Sequence, residues 1–338
     1  MASFEKVKGG YRAQIKIKVN GEVVRDSNTL ATKALVSAWA HDRERELRSK
    51  KTAGFVVGKT FANACDRYEV EVSRIKRGHR WEVLRLAAMK SVAIEKKYLG
   101  DCLLEDLTPD IIGKWRDARL GVVSGATVNR EFNLLSHVLS TARDEWRWLS
   151  ESPTSKVRRP KDSAHRDRLP TKEEIEALCA YCGFDDGPVT TKTQAVAVAF
   201  LFAIETAMRQ GEICKLTPAM VDGAVVHLPK EVCKNGHRRD VPMARRALEL
   251  LSLLPVPEGA GGTYFMIHAD SMSVLFRKAC AACLIEDLHF HDSRHEAITR
   301  LAKKLHVLDL ARMTGHRDLK QLQVYYNEPA HLIAPLLG

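Results

Sequence analysis

The ten residues Ala195–Ile204, "AVAVAFLFAI", are apolar without a break. Crossing a bilayer takes about 18–20 such residues, so this run has to be enclosed by protein, as the interior helix of a sizeable core. It stops at Glu205, and "TAMRQGE" follows. The chain therefore delivers Arg209 to the end of a buried helix, with Glu212 three residues on. The opening "MASFEKVKGGYR" lacks the apolar centre of a secretory signal. A cytoplasmic protein with no membrane partner is expected.

Patterning divides the remainder. Tyr11, Ala13, Ile15, Ile17 and Val19 alternate with Arg12, Gln14, Lys16 and Lys18, the period of two that a half-buried strand requires. Asn20-Gly21 supplies a hairpin turn because both residues tolerate positive φ, and "FEKV" offers a third strand. "TKALVSAWAHDRERELRSK" reads as a helix capped by Thr32, with Leu35, Trp39 and Leu47 on its buried face. Residues 1–52 thus predict a small sheet plus helix. Its outward face carries Arg12, Lys16 and Lys18. Sheets of this kind enter the major groove of DNA, and the one-sided charge favours that reading over a merely solvated polar face.

Residues 55–153 read as a compact unit of four helices. Thr60 caps the first, "RWEVLRLAAMKSVAIEKKYL" is a longer second, and Pro109 opens the third. The fourth repeats Val128, Phe132, Leu135, Leu139 and Ala142 along one face. Lys76, Arg77, His79 and Arg80 cluster in one loop and Arg130 sits on the last helix. Each is a candidate phosphate contact or a solvated charge.

"SPTSKVRRPKDSAHRDRLPT" holds six Lys/Arg against two Asp and reads as an extended connection. Residues 154–168 are the linker proper, and Arg158 and Arg159 are candidates to follow a DNA backbone. Residues 169–338 mix helices with one small sheet, with Asn235-Gly236 at a hairpin turn. The fold class expected is multidomain, mainly α with small β-sheets.

Lys and Arg number 53 against 42 Asp and Glu, a net charge of +11, which favours a polyanionic partner. Four of the eight cysteines fall in two pairs of CxxC spacing, Cys179/Cys182 and Cys280/Cys283. Both pairs lie in helical patterns about a hundred residues apart, too far for a compact zinc module. They read as core cysteines; neither metal nor cofactor is expected.

The polar residues after the linker form an ordered series. Arg209 stands in "TAMRQGE" and Lys234 in "CKNGHRRDVP". His291 and Arg294 share "FHDSRHEAITRL", His316 follows in "MTGH", and Tyr325 comes nine positions later. This series resembles the catalytic domain of the tyrosine recombinases, the phage-type integrases, whose pattern is Arg, Lys, His-x-x-Arg, His, Tyr. All six positions are occupied in order. The helical unit resembles the family's core-binding domain, and the N-terminal sheet its arm-type DNA-binding domains. His295 after Arg294 and Cys233 before Lys234 receive no charge-bearing role.

The resemblance implies an enzyme that cuts and rejoins DNA through a 3′-phosphotyrosine, integrating or excising a mobile element such as a prophage, a viral genome. Tyr325 would be the nucleophile and Lys234 the proton donor to the departing 5′ oxygen. Permanently charged Arg209 and Arg294 suit the non-bridging oxygens, His316 adds a hydrogen bond, and His291 is a reasonable proton acceptor. Glu212 would orient Arg209. Partners implied are double-stranded attachment sites, a homotetramer on DNA, and accessory DNA-bending or directionality proteins in a bacterial cell. A type IB topoisomerase-like relaxing enzyme and a catalytically inactive DNA-binding regulator are the alternatives.

Two tyrosines stand side by side. In a helix over 318–327, Leu319, Leu322 and Tyr326 make one apolar stripe. Tyr326 is then structural, and Tyr325 is free to face a substrate. The short apolar tail "AHLIAPLLG" is expected to dock on a neighbouring protomer.

Overall fold

The computed structural model describes residues 2–19, 22–52, 56–161, 166–257, 259 and 261–326, and the chain divides into two compact units, Met1–His165 and Arg166–Gly338.

The first unit opens with strands β1 (Ser3–Val7), β2 (Gly10–Val19) and β3 (Glu22–Leu30), an antiparallel sheet in the order β1-β2-β3. Ala13 and Ile15 of β2 are buried and Arg12, Gln14, Lys16 and Lys18 are exposed, as strand geometry demands. Asn20-Gly21 lies outside the described residues. Helix α1 (Lys33–Thr52) packs on β2 and β3. Its buried face is Val36, Ala40 and Leu47; Leu35, expected there, is 55% exposed. The face turns by one residue because Val36 and Ala40 are the pair that meets Ala13 and Ile15. The buried Arg43 binds Asp26 and Asp106, so one cation joins sheet, helix and the unit that follows.

Four helices then enclose the second core of this unit: α2 (Phe61–Tyr68), extended by a wide turn to Ser73, α3 (His79–Lys90), α4 (Pro109–Leu120) and α5 (Gly125–Asp144). Thr60 and Asn63 form a reciprocal cap. Helix α3 is shorter than its pattern suggested. It stops at Lys90, and a small hairpin, β4 (Ala93–Ile94) and β5 (Lys97–Tyr98), replaces its last turns. Glu95 at the hairpin has φ +56, a conformation no helix accommodates. Val128, Phe132, Leu135, Leu139 and Ala142 of α5 are all buried.

The second unit begins with α6 (Lys172–Tyr181), capped by Thr171 and Glu174. Helix α7 (Lys192–Thr206) is buried on all sides. The chain breaks at Ala207, at φ +53, and restarts as the single turn α8 (Gln210–Ile213) with Arg209 at its N-cap. The break therefore comes before Arg209, so that Arg209 starts a new turn and does not end the buried helix. A three-stranded antiparallel sheet follows, β6 (Val221–Asp222), β7 (Val225–Leu228) and β8 (Arg239–Pro242). Helices α9 (Arg245–Ser252), α10 (Ala269–Ala282), α11 (Asp292–Ala302) and α12 (Val307–Thr314) complete it. Helix α11 packs on α7. Cys182 and Cys280 lie in the main core.

The closing segment is two 3-10 turns, Leu319–Gln321 and Gln323–Tyr325, and not the continuous helix expected over 318–327. Leu322 is fully buried between them, while Leu319 is 39% exposed. Among the described residues no helix is long and apolar enough to cross a membrane. Residues 327–338, with the apolar tail, lie outside the described residues.

Candidate active site

The break between α7 and α8 builds the floor of the site. A left-handed residue ends a helix by freeing its last carbonyls, and here the Ala207 carbonyl accepts from Arg294 Nη1. Arg294 Nη2 donates to the Thr314 carbonyl at 2.7 Å. One guanidinium thus ties the ends of α7 and α12 together, and three of its five N–H groups are left for an anion. The residue is 3% exposed. Burial first, then Arg209 and Arg239, lower its pKa to about 9, still a cation at neutral pH.

Arg209 sits across the same break. Its backbone N–H donates to Glu212 Oε2 at 2.8 Å and its Nη1 to Oε1 at 3.2 Å. Glu212 is 2% exposed. Burial pushes its carboxyl up, but the grip of Arg239, with help from Arg209, more than offsets this, and the net shift is down. Glu212 is an anion, and it holds two arginines.

Arg239 was not singled out from the sequence. It is buried on β8, donates Nη1 and Nη2 to the two oxygens of Glu212 at 2.8 and 2.6 Å, and donates Nε to the Met313 carbonyl at 3.0 Å. The signal was alternation: Arg239 and Val241 face inward while Asp240 and Pro242 are exposed.

The last turn of α12 ends at Gly315, φ +74, and hands the chain to His316. This half-buried ring places Nδ1 2.7 Å from Thr314 Oγ1. Burial, then Arg294, Arg209 and Arg239, push its pKa down to about 4. His291, at the N-cap of α11, stays open to solvent. Its pKa is also lowered, by desolvation and then by Arg294, His295 and Arg209; the positive neighbours are the part its open position leaves intact. Arg166 clamps the buried Asp292 next door, Nε to Oδ1 at 2.8 Å and Nη2 to Oδ2 at 2.7 Å.

Tyr325 and Tyr326 diverge. Tyr326 donates its hydroxyl to the Leu305 carbonyl at 2.7 Å. Tyr325 places its hydroxyl 2.5 Å from Nδ1 of His295. Burial raises its pKa and Arg294 opposes the rise. His295 is therefore the contact of this phenol, a residue to which the sequence gave no role. Only its adjacency to His291 and Arg294 hinted at it.

A cavity of about 730 Å³ opens beside this cluster, lined by Arg209, Arg239 and His316 together with Arg238, Arg312 and Arg317. Cys233 and Asn235 also line it, but Lys234 between them is exposed on the β7–β8 hairpin and is not part of the lining. The hairpin is tethered: Asn235 Nδ2 donates to the Gly315 carbonyl at 3.3 Å, and Arg317 Nη1 to His237 Nε2 at 2.9 Å. Arginines and His316 line the hollow, and beside it a phenol meets an imidazole; such groups suit attack on a phosphodiester, with fixed charge where negative charge develops and an oxygen nucleophile beside a proton acceptor.

The other candidates lie in the first unit. Arg12, Lys16 and Lys18 line the exposed face of β2, and Arg77, Arg80 and Arg130 are exposed. Lys76 turns inward to Tyr68 and Glu82, at 2.6 and 3.1 Å. Arg159 lies over the Phe132 ring and binds Asn133 at 2.6 Å, while the Arg158 carbonyl accepts from Arg116 at 2.7 Å.

The profile of the phage integrase family matches residues 169–331. An integrase/recombinase of Haemophilus influenzae is 33% identical over 302 residues, covering 88% of this chain and 96% of its own length. The shufflon-specific DNA recombinase of Escherichia coli is 37% identical over 278 residues, covering 79% of this chain and 68% of its own. Among solved structures, a lambda integrase dimer bound to a core site superposes with TM-score 0.63 at 17% identity, covering 95% of this chain and 93% of that one. The Tn1549 transposon integrase in complex with circular-intermediate DNA gives 0.64 at 16% identity, covering 80% and 96%.

Proposed function

The chain belongs to the phage integrase family, the tyrosine recombinases, and is a site-specific DNA recombinase; from that premise we propose that Tyr325 is its nucleophile. The observation that carries this is the divergence of the two tyrosines: the Tyr326 hydroxyl is spent on a backbone carbonyl, and the Tyr325 hydroxyl faces an imidazole beside the arginine cluster.

The reaction follows from the groups present. A phosphodiester repels nucleophiles until its charge is neutralised. Arg209 and Arg294 bind the non-bridging oxygens, and His316 adds a third donor. Tyr325 Oη attacks phosphorus, the bond to O5′ breaks, and a 3′-phosphotyrosine forms. Lys234, on the hairpin beside the cavity, donates the proton that O5′ needs. The 5′ hydroxyl of another duplex reverses the step and joins new partners. Glu212 holds Arg209 in place, and Arg239 holds Glu212.

Double-stranded DNA is the partner. Residues 1–52 supply an arm-type contact through Arg12, Lys16 and Lys18. Residues 55–153 grip the core site with Arg77, Arg80 and Arg130, and residues 154–168, the linker to the catalytic residues 169–338, follow the backbone with Arg158 and Arg159. Strand exchange between two duplexes calls for four copies. A lambda integrase tetramer bound to a Holliday junction, TM-score 0.60 at 17% identity, has this fold. The substrate is the junction of a mobile element. Recombination within a shufflon is the second reading, favoured by the likeness to the shufflon-specific DNA recombinase.

Incubation with nicked duplexes carrying candidate attachment sites tests the assignment. Tyr325→Phe abolishes covalent protein–DNA adducts and Tyr326→Phe largely spares them; adducts that survive Tyr325→Phe contradict it.

A further inference from the structure

Resting on Tyr325 as nucleophile, we propose that His295, and not His291, takes the phenolic proton when the tyrosine attacks. The two rings lie 6.1 Å apart at 35°, and Tyr325 Oη meets His295 Nδ1 at 2.5 Å. His295 is the one hydrogen-bond partner of the Tyr325 hydroxyl among the described residues. A phenol is a stronger donor than a neutral imidazole N–H, so the proton lies on oxygen and Nδ1 accepts. His291 stands edge-on to the His295 ring, 5.5 Å away at 90°, one turn earlier on the same face of α11.

Charged and titratable groups surround the His295 ring. On its own helix it has Asp292, Arg294, Glu296 and Arg300, with His291 at the cap. The elements packed on α11 add Lys192 and Glu205 from α7, Asp309 and Arg312 from α12, and Tyr325. Arg209, Arg239 and His316 act on the same cluster, against Glu212. Arg294, one residue before His295, is the buried member. Once phosphate enters, its negative charge offsets these cations as the ring takes the proton.

The step balances. The Oη–P bond forms and the P–O5′ bond breaks; the Tyr325 proton passes to His295 Nδ1 and a Lys234 proton passes to O5′. Religation returns both. His295 touches the reacting oxygen and is a catalytic residue on this account.

Single-turnover cleavage of a nicked attachment-site duplex, followed from about pH 5 to pH 9 across the range where imidazole titrates, is the test. Wild type shows a rate that rises with pH as the acceptor loses its proton. His295→Ala slows cleavage about a hundredfold or more and abolishes that rise, and added imidazole restores part of the rate. His295→Asn, which keeps an accepting oxygen near the Nδ1 position, binds DNA normally yet also lacks the rise. Three results overturn the proposal: loss of the rise in His291→Ala and not in His295→Ala, a His295→Ala rate reduced by one factor at every pH, or a rate within about twofold of wild type. Adducts persisting in Tyr325→Phe sink the nucleophile assignment instead, whatever His295 does.

Discussion

Arg239 holds both oxygens of Glu212, at 2.8 and 2.6 Å, with both side chains buried. Arg209 reaches the same carboxylate from the other side. Arg209 is therefore oriented by an anion that a second, deeper arginine keeps charged. Removing one member of a buried pair leaves an uncompensated charge, at a cost of about 3–5 kcal/mol. Arg239→Leu is expected to lower the denaturation midpoint strongly and to reduce cleavage with it. Chemical denaturation of the variant checks this, and a midpoint unchanged from wild type contradicts it.

The Glu212 carboxyl is held, despite burial, below its ordinary pKa of about 4.5 by Arg239. Its contribution to stability is thus present above the unfolded value and is lost as pH falls through the folded one. Glu212→Gln is expected to lose stability at neutral pH and to differ less and less from wild type as pH drops below about 4.5. Urea unfolding at a series of pH values measures the convergence.

Gly315 is required twice. Its φ is +74, and a Cβ there would stand 3.0 Å from Arg239 Cδ, a buried side chain fixed at three points. Gly315→Ala is expected to cost about 1–2 kcal/mol for the backbone conformation alone. It should also impair cleavage, because His316 is the next residue. A variant with wild-type stability and rate contradicts the reading.

The tautomer of His316 is readable from its neighbour. Thr314 has one hydroxyl proton and gives it to the Leu310 carbonyl at 2.6 Å. Toward His316 it can only accept, so Nδ1 carries hydrogen and Nε2 of the neutral ring is bare. With its pKa near 4, the ring must gain a proton before Nε2 can donate to a phosphate oxygen. DNA binding near neutral pH is expected to take up protons, and His316→Gln to take up fewer. Calorimetry in buffers of different ionisation heat reads this directly. The depressed value also means that stability is full above the unfolded pKa of about 6.5 and declines as pH falls toward 4.

Lys234 is exposed on a hairpin that Asn235 and His237 tether to the Gly315–Arg317 loop. On the role proposed for it, Lys234 acts only at the leaving oxygen. Lys234→Ala is expected to slow cleavage about a hundredfold, and a substrate with sulfur in place of O5′ to restore the rate, since a thiolate departs without a proton. The same substrate does not rescue His295→Ala. Equal rescue of both variants contradicts the division of roles.

The order of the polar series and the alternation of β2 were legible because each depends on residue type and spacing alone. Tyr326 was legible for the same reason, as an apolar neighbour of Leu322. What escaped depends on chain reversals. The break after α7 sits at Ala207, which carries no turn signature, and the stripe around Leu319 dissolves because two 3-10 turns replace a helix. Arg239 and His295 look like any surface cation or helix histidine until β8 and the final turn bring Glu212 and Tyr325 to them.

The most direct measurement is the chemical identity of the DNA-linked residue. Protein trapped on a nicked attachment-site duplex is digested with nuclease and protease, and the peptide bearing the residual nucleotide is sequenced by mass spectrometry. The account predicts the modification on Tyr325, in the peptide that also contains an unmodified Tyr326. A nucleotide on Tyr326, or on any other side chain, contradicts it.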